Sequence, residues 1–134
     1  MRKAQTCLIV DDMPNIRIVA KQILLNLGCK SVLEASTGEE ALKLLADHAV
    51  DLILLDWTLP HMSGIACLQA IRSDPKTSHI RCVMITADRI EGHVREAIAA
   101  GADGYVVKPF SPRTLQAHLD LALSDRDEAT RKRN

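Results

Sequence analysis

Five short apolar runs alternate with five stretches of helical periodicity, and this alternation narrows the possible folds more than any other feature of the chain. The runs are Cys7-Leu-Ile-Val10, Ser31-Val-Leu33, Val50-Asp-Leu-Ile-Leu-Leu55, Cys82-Val-Met-Ile85 and Tyr105-Val-Val107. Nearly continuous apolar runs of this length suit parallel strands covered on both faces. In the first helical stretch, Ile16, Val19, Ala20, Ile23, Leu24 and Leu27 form one apolar stripe, and Gly28 follows where the helix can end. In the second, Thr37 stands three residues before Glu40 as a capping box, with Ala41, Leu44 and Leu45 on the inner face. Later helices are predicted over about 64–72, 90–100 and 112–123, the last with Ser111 as N-cap and Pro112 at its first position. Right-handed crossovers turn five strand–helix units into an open α/β fold, a (βα)5 doubly wound parallel five-stranded sheet. Five units are too few for an eight-unit barrel.

No Pro/Gly/Ser-rich linker interrupts the pattern, so residues 1–124 read as one domain. Residues 125–134 are charged, lack an apolar stripe and read as a frayed C-terminal tail. The full chain of 134 residues fits a single domain, with 47% apolar and 25% charged residues, which argues against disorder. Seventeen basic and seventeen acidic residues cancel, so no overall field draws the protein to nucleic acid, and direct nucleic-acid binding is not expected. No apolar run approaches the roughly 18 residues of a membrane span, and no signal-peptide core follows the N-terminus; the expected location is cytoplasmic. Cys7, Cys29, Cys67 and Cys82 are scattered without a CxxC pair, and the five histidines are equally dispersed. Neither set has zinc-site spacing, so both read as structural or solvated.

Ligand sites in open parallel sheets lie beyond the carboxyl ends of the strands. There the sequence places Asp11 and Asp12 after the first run, Asp56 after the third, Thr86 after the fourth and Lys108-Pro109 after the fifth. Singly, each has an ordinary explanation: Asp12 can cap a helix, Asp56 can open a loop, Thr86 can close a turn, and Lys108 can be a solvated charge. Together they cannot all be ordinary. Two carboxylates about 4 Å apart repel by roughly 4 kcal/mol at an effective dielectric of 20, and a third adds to this. Such a cluster should bind a cation or hold a proton, and carboxylate oxygens with room for water and phosphate suit Mg²⁺. A carboxylate can attack phosphorus to give an aspartyl phosphate, with the metal and Lys108 neutralising the phosphoryl oxygens and a Thr hydroxyl donating to them.

Asp11-Asp12, then Asp56-Trp-Thr-Leu-Pro-His-Met-Ser-Gly64, then Thr86-Ala87, then Lys108-Pro-Phe110 resembles the receiver domain of two-component response regulators, of the chemotaxis single-domain type. The resemblance spans about residues 5–124. It implies a flavodoxin-like strand order of 2-1-3-4-5. It also implies that Asp56 is the phosphoacceptor, charged by a histidine kinase or a histidine phosphotransfer protein. By the same likeness Asp12, Asp56 and the backbone carbonyl of Trp57 ligate Mg²⁺, with Asp11 acting mainly through bound water. Lys108 pairs with the phosphoryl oxygens, and Lys108-Pro109 is cis. Thr86 and Tyr105 form the switch that alters the helix-four, strand-five, helix-five face for a downstream target protein. No organic cofactor is implied.

Bottom-up, Tyr105 can equally be a partly exposed edge-strand ring. The Pro60, Met62, Gly64 loop can be a turn in which glycine supplies unusual dihedrals. Thr58 and Asp88 stand two positions beyond Asp56 and Thr86, where receivers tune hydrolysis of the phosphoryl bond. The expected role is a single-domain phosphorylation switch, a diffusible signalling protein or phosphorelay intermediate, since no output domain fits in ten residues after Ser124; it is not expected to be an enzyme on external substrates. A receiver excised from a larger regulator or hybrid kinase is the first alternative. An aspartate-nucleophile phosphatase resembling the haloacid dehalogenase group is disfavoured, because Thr58 stands where that chemistry needs a second Asp. A flavin-binding or scaffold protein of the same architecture is disfavoured by the intact acidic, Thr and Lys set.

Overall fold

The computed structural model describes the backbone over residues 5–87 and 91–133, and side chains over 5–87 and 92–123. The chain runs β1 (Thr6–Val10), α1 (Pro14–Asn26), β2 (Ser31–Ala35), α2 (Gly38–Asp47), β3 (Leu52–Asp56), α3 (Gly64–Ser73), β4 (Arg81–Thr86), α4 (Glu91–Ala99), β5 (Gly104–Val107) and α5 (Pro112–Arg133). All strand pairs are parallel, in the order β2-β1-β3-β4-β5. This is the doubly wound order expected, and it follows from what the strands bury on each face. Because side chains alternate along a strand, Leu8, Val10, Ile53, Leu55 and Met84 pack on one face with Ala41 and Leu45 of α2, Cys67, Leu68 and Ile71 of α3, and Ala97 of α4. Cys7, Ile9, Leu52, Leu54, Val83, Ile85 and Val106 pack on the other, against Ala20, Ile23 and Leu24 of α1 and Leu115, Leu119 and Ala122 of α5. A sheet apolar on both faces needs helices on both, which accounts for the near-continuous apolar runs.

Local signals place most of the helix starts. Pro14 occupies the first turn of α1, where its missing N–H costs no hydrogen bond. Thr37 Oγ1 accepts from Glu40 N at 3.0 Å, and Ser111 Oγ accepts from Thr114 N at 3.1 Å. Ser63, not singled out in the sequence, caps α3 by accepting from Ala66 N at 3.2 Å.

Three expectations need correcting. Val19 lies at the edge of the α1 stripe and is 42% exposed, because α1 rolls toward Ala20, Ile23 and Leu24. Strand β2 continues to Ala35, two residues past the apolar run, since Glu34 and Ala35 pair in register with Ile9 and Val10. Helix α5 continues to Arg133 across the stretch expected to be a frayed tail. That stretch has no Gly or Pro and carries three Arg with one each of Ala, Glu and Lys, residues whose backbone preference is helical without an apolar stripe. No helix among the described residues is long and apolar enough to cross a membrane.

Candidate functional site

Strand register, rather than sequence proximity, assembles the site. Val10 is opposite Leu55 in the β1–β3 ladder, so Asp11 and Asp56 leave adjacent strands at the same level. Asp56 is opposite Ile85, and Thr86 is opposite Val107, so Thr86 and Lys108 emerge one step further along the same edge. The chain passes from β1 to β2 on one side and returns to β3 on the other, which opens a crevice beyond these carboxyl ends. One carboxylate oxygen each from Asp11, Asp12 and Asp56 lies within 4.8 Å of the others.

The three acids differ in their surroundings. Asp11 is buried; its Oδ1 accepts from Met13 N at 2.9 Å, fixing the turn into α1. Its Oδ2 lies 2.8 Å from Lys108 Nζ and has no hydrogen-bond donor besides that ammonium among the described residues. Asp12 is exposed and does not cap α1: the N-cap position is Met13, with no side-chain cap, so the ordinary explanation for Asp12 fails. Asp56 is buried, with Oδ2 at 3.2 Å from Lys108 Nζ and Oδ1 accepting a long 3.4 Å bond from Thr58 N.

Burial raises the Asp56 carboxyl above its ordinary range, and the negative charge of Asp11 raises it further, against the lowering effect of Lys108. Burial alone would lower the Lys108 ammonium, but its contacts with Asp11 and Asp56 outweigh burial and hold it above its ordinary value. Among the described residues, one ammonium therefore serves two buried carboxylates, with a third at the rim. That surplus of negative charge is what a divalent cation would neutralise. The donor set is all oxygen, which suits a hard cation. Trp57 O accepts from Gly64 N at 2.8 Å and retains a second lone pair.

The loop after Asp56 is shaped by one close approach. A Cβ on Gly64 would collide with the backbone oxygen of Asp56 and the Cα of Trp57, so only glycine allows α3 to start against the strand end. The ordinary alternative for this loop, a glycine supplying an unusual dihedral, does not hold at Gly64: the positive φ of this loop belongs to His61, at 68°. Thr86 is buried at the end of β4, and its carbonyl accepts from Lys108 N at 2.7 Å. The Lys108-Pro109 peptide is cis. Tyr105 is half-buried on β5, and its ring meets Trp57 edge-on at 6.4 Å. Asp88 lies outside the described residues.

Two participants were not visible in the sequence. Arg17 donates from Nη1 to Asp11 O at 2.7 Å and pairs with Glu34 at 3.1 Å, bracing the backbone beneath the acidic pair. Its signal, a basic residue one turn into α1, is too common to notice. His93, read as structural or solvated, stacks on Trp57 with centroids 4.8 Å apart and planes 18° from parallel. This contact joins α4 to the loop beyond Asp56, and nothing in the spacing of residues 57 and 93 announces it.

Comparison with known proteins agrees with this geometry. The response regulator receiver domain family matches residues 7–120. The chain is 39% identical over 120 residues to chemotaxis protein CheY-3 of Vibrio cholerae, covering 90% of this chain and 92% of that one. The crystal structure of the chemotaxis response regulator CheY4 of Vibrio cholerae superposes with a TM-score of 0.82 at 32% identity, covering 87% of this chain and 97% of that one. The receiver domain of a sensor histidine kinase from Pseudomonas aeruginosa PAO1, solved with a magnesium ion coordinated in its active site cleft, superposes with a TM-score of 0.75 at 28% identity, covering 84% and 92%. With five parallel strands in the 2-1-3-4-5 order and an acidic cluster at their carboxyl edge, the chain belongs to the response regulator receiver domains, the phosphoacceptor switches of two-component signalling.

Proposed function

We propose that Asp56 is the residue that accepts the phosphoryl group, from a histidine kinase or histidine phosphotransfer protein, and that Mg²⁺ is the cation of the site. The observation that carries this is the convergence of Asp11, Asp12 and Asp56 within 4.8 Å beside Lys108 Nζ, 3.2 Å from Asp56. Asp12, Asp56 and the Trp57 carbonyl would hold the metal, with Asp11 contributing through water. The metal supplies positive charge for the phosphoryl oxygens. The magnesium ion in the sensor-kinase receiver supports that choice.

The remaining work falls to the protein's own groups. Asp56 Oδ attacks phosphorus in line, and the bond to the donor nitrogen breaks. Lys108, held charged by the two carboxylates, follows the developing charge onto the phosphoryl oxygens. The Thr86 hydroxyl donates to a phosphoryl oxygen, and Tyr105, packed against Trp57, relays the change to the α4–β5–α5 face where a target protein binds. The protein acts as a cytoplasmic switch with no turnover of external substrates: Thr58 offers no carboxyl to serve as a general acid two positions after Asp56. The same chemistry would serve a receiver within a larger regulator or hybrid kinase, a reading favoured by the sensor-kinase receiver among its structural relatives.

Incubation with a small acyl phosphate and Mg²⁺ is expected to label Asp56 alone. Labelling of Asp56→Asn at the wild-type level would overturn the assignment, and steady phosphate release from many monoesters would instead support a phosphatase.

A further inference from the structure

The four cysteines are all free and all buried, and one pair of them is in direct contact. Cys67 Sγ faces the Gly38 carbonyl at 4.0 Å, and Cys82 Sγ faces the Ile80 carbonyl at 3.6 Å. By contrast, Cys29 Sγ lies 2.7 Å from Cys7 Sγ, across 22 residues of chain. A disulfide bond measures about 2.0 Å, so the two sulfurs need approach by well under one bond length to be joined.

We propose that Cys7 and Cys29 are a redox modification site, closed to a reversible disulfide by a hydroperoxide. The two positions differ in a way that orders the steps. Cys7 sits in the middle layer of the sheet, opposite Val32 of β2 and Leu52 of β3, and is fully buried. Cys29 follows Gly28, whose φ of 97° turns the chain out of α1, and it retains 7% exposure. Burial raises the Cys7 thiol far above its ordinary range, and the Cys29 contact adds to this, so Cys7 is the poorer first nucleophile. Cys29 therefore meets the oxidant. Its thiolate attacks the near peroxide oxygen, the O–O bond breaks, and an alcohol leaves with a proton, giving Cys29 sulfenic acid. Cys7 sulfur then attacks Cys29 sulfur, the S–O bond breaks, and the departing hydroxide takes the Cys7 proton as water. In sum, two thiols lose two electrons and two protons, and the hydroperoxide is reduced to alcohol and water. A thiol such as glutathione or thioredoxin reverses the bond by exchange.

The bond would close a ring containing Asp11, Asp12 and the whole of α1, yet lie at the amino end of β1, away from the acidic site at its carboxyl end. It should therefore stiffen the unfolded chain without blocking the site.

The test treats the folded full-length chain with hydrogen peroxide, then alkylates it under denaturing conditions and maps the peptides. The expected result is two alkylated cysteines, Cys67 and Cys82, in place of four, with tryptic peptides 4–17 and 22–30 joined and released by dithiothreitol. Oxidised wild type should also unfold at a higher denaturant concentration than reduced wild type, a difference lost in Cys29→Ser and in Cys7→Val. Alkylation of all four cysteines after peroxide, a linkage involving Cys67 or Cys82, or oxidation of Cys29 that stops at sulfinic acid would each overturn the proposal.

Discussion

Two ion-paired centres sit at opposite ends of the same sheet, a half-buried one at the amino end of β4 and β5 and one with buried carboxylates at the carboxyl end of β1, β3 and β5. At the amino end, Arg72 of α3 donates from Nη2 to Asp103 Oδ2 at 3.0 Å, from Nε to Gly101 O at 2.9 Å, and from Nη1 to Ser78 O at 3.0 Å and to Ile80 O. Asp103 Oδ2 also accepts from Cys82 N at 2.9 Å. The guanidinium of Arg72 meets the carboxylate of Asp103, and every guanidinium nitrogen is engaged. At the carboxyl end, among the described residues, one ammonium faces two buried carboxylates with Asp12 beside them, and Asp11 Oδ2 has only that ammonium as a donor. The first arrangement is complete as it stands and joins α3 to the turns before β4 and β5. The second carries excess negative charge and open lone pairs, so its stability depends on what binds there. Charge balance, more than burial, separates a structural ion pair from a working site.

The largest expected effect is on the balanced pair. Arg72→Ala should lower unfolding free energy by about 3 kcal/mol, because it removes the guanidinium from the Asp103 carboxylate and from three backbone carbonyls. Mg²⁺ should stabilise this variant only as much as it stabilises wild type, leaving the difference between them unchanged, and labelling of Asp56 in the variant that still folds should persist. Urea denaturation with and without Mg²⁺ measures this; equal rescue of Arg72→Ala and Lys108→Ala by the metal would erase the distinction between the two centres.

The next effect belongs to the unbalanced site. At about a hundred times its dissociation constant, Mg²⁺ should stabilise the wild type by about 2.7 kcal/mol. Lys108 and the metal draw on the same carboxylates, so Lys108→Ala should bind Mg²⁺ more tightly while losing stability in metal-free buffer. The shift in urea midpoint across a Mg²⁺ titration reads both, and weaker binding in Lys108→Ala would show that the ammonium organises the acids rather than competing for them.

The smallest effect is the pH dependence. The Asp56 carboxyl is raised in the folded state by burial and then by Asp11, so the folded chain holds this proton more firmly than the unfolded one. Its favourable contribution is complete below the unfolded value near 3.8 and is lost as pH rises through the folded value. Asp56→Asn should therefore exceed wild-type stability at neutral pH and lose that advantage in acid. Lys108 is also raised, so its contribution is present below its ordinary value of 10.5 and disappears as pH rises through the folded value. Thermal melts from neutral to alkaline pH should fall more steeply for wild type than for Lys108→Met. Parallel curves would mean that the ammonium is not held by its two partners.

The carboxyl-edge site was legible in the sequence for a physical reason. In a parallel sheet every strand end faces the same way, so Asp11, Asp56, Thr86 and Lys108 are gathered by topology once the five runs are recognised. The alternation of apolar runs and amphipathic stretches was sufficient for the sheet itself. Contacts that depend on how separate helices settle were not legible. Arg72 and Asp103 meet across 31 residues only after α3 and the α4–β5 turn have packed. Trp57 and His93 meet only after α4 lies over the loop beyond Asp56. The α5 extension was missed because apolar periodicity is blind to a helical stretch whose sequence carries no apolar stripe. The close approach of Gly64 to Asp56 O was not legible because it leaves no trace in backbone preference.

Calorimetric titration with Mg²⁺ tests the central claim most directly, set side by side on wild type, Asp12→Asn and Asp103→Asn. The account predicts one Mg²⁺ per chain for wild type, unchanged stoichiometry for Asp103→Asn and loss of binding in Asp12→Asn. Absence of binding in wild type, or undiminished binding in Asp12→Asn, would contradict it.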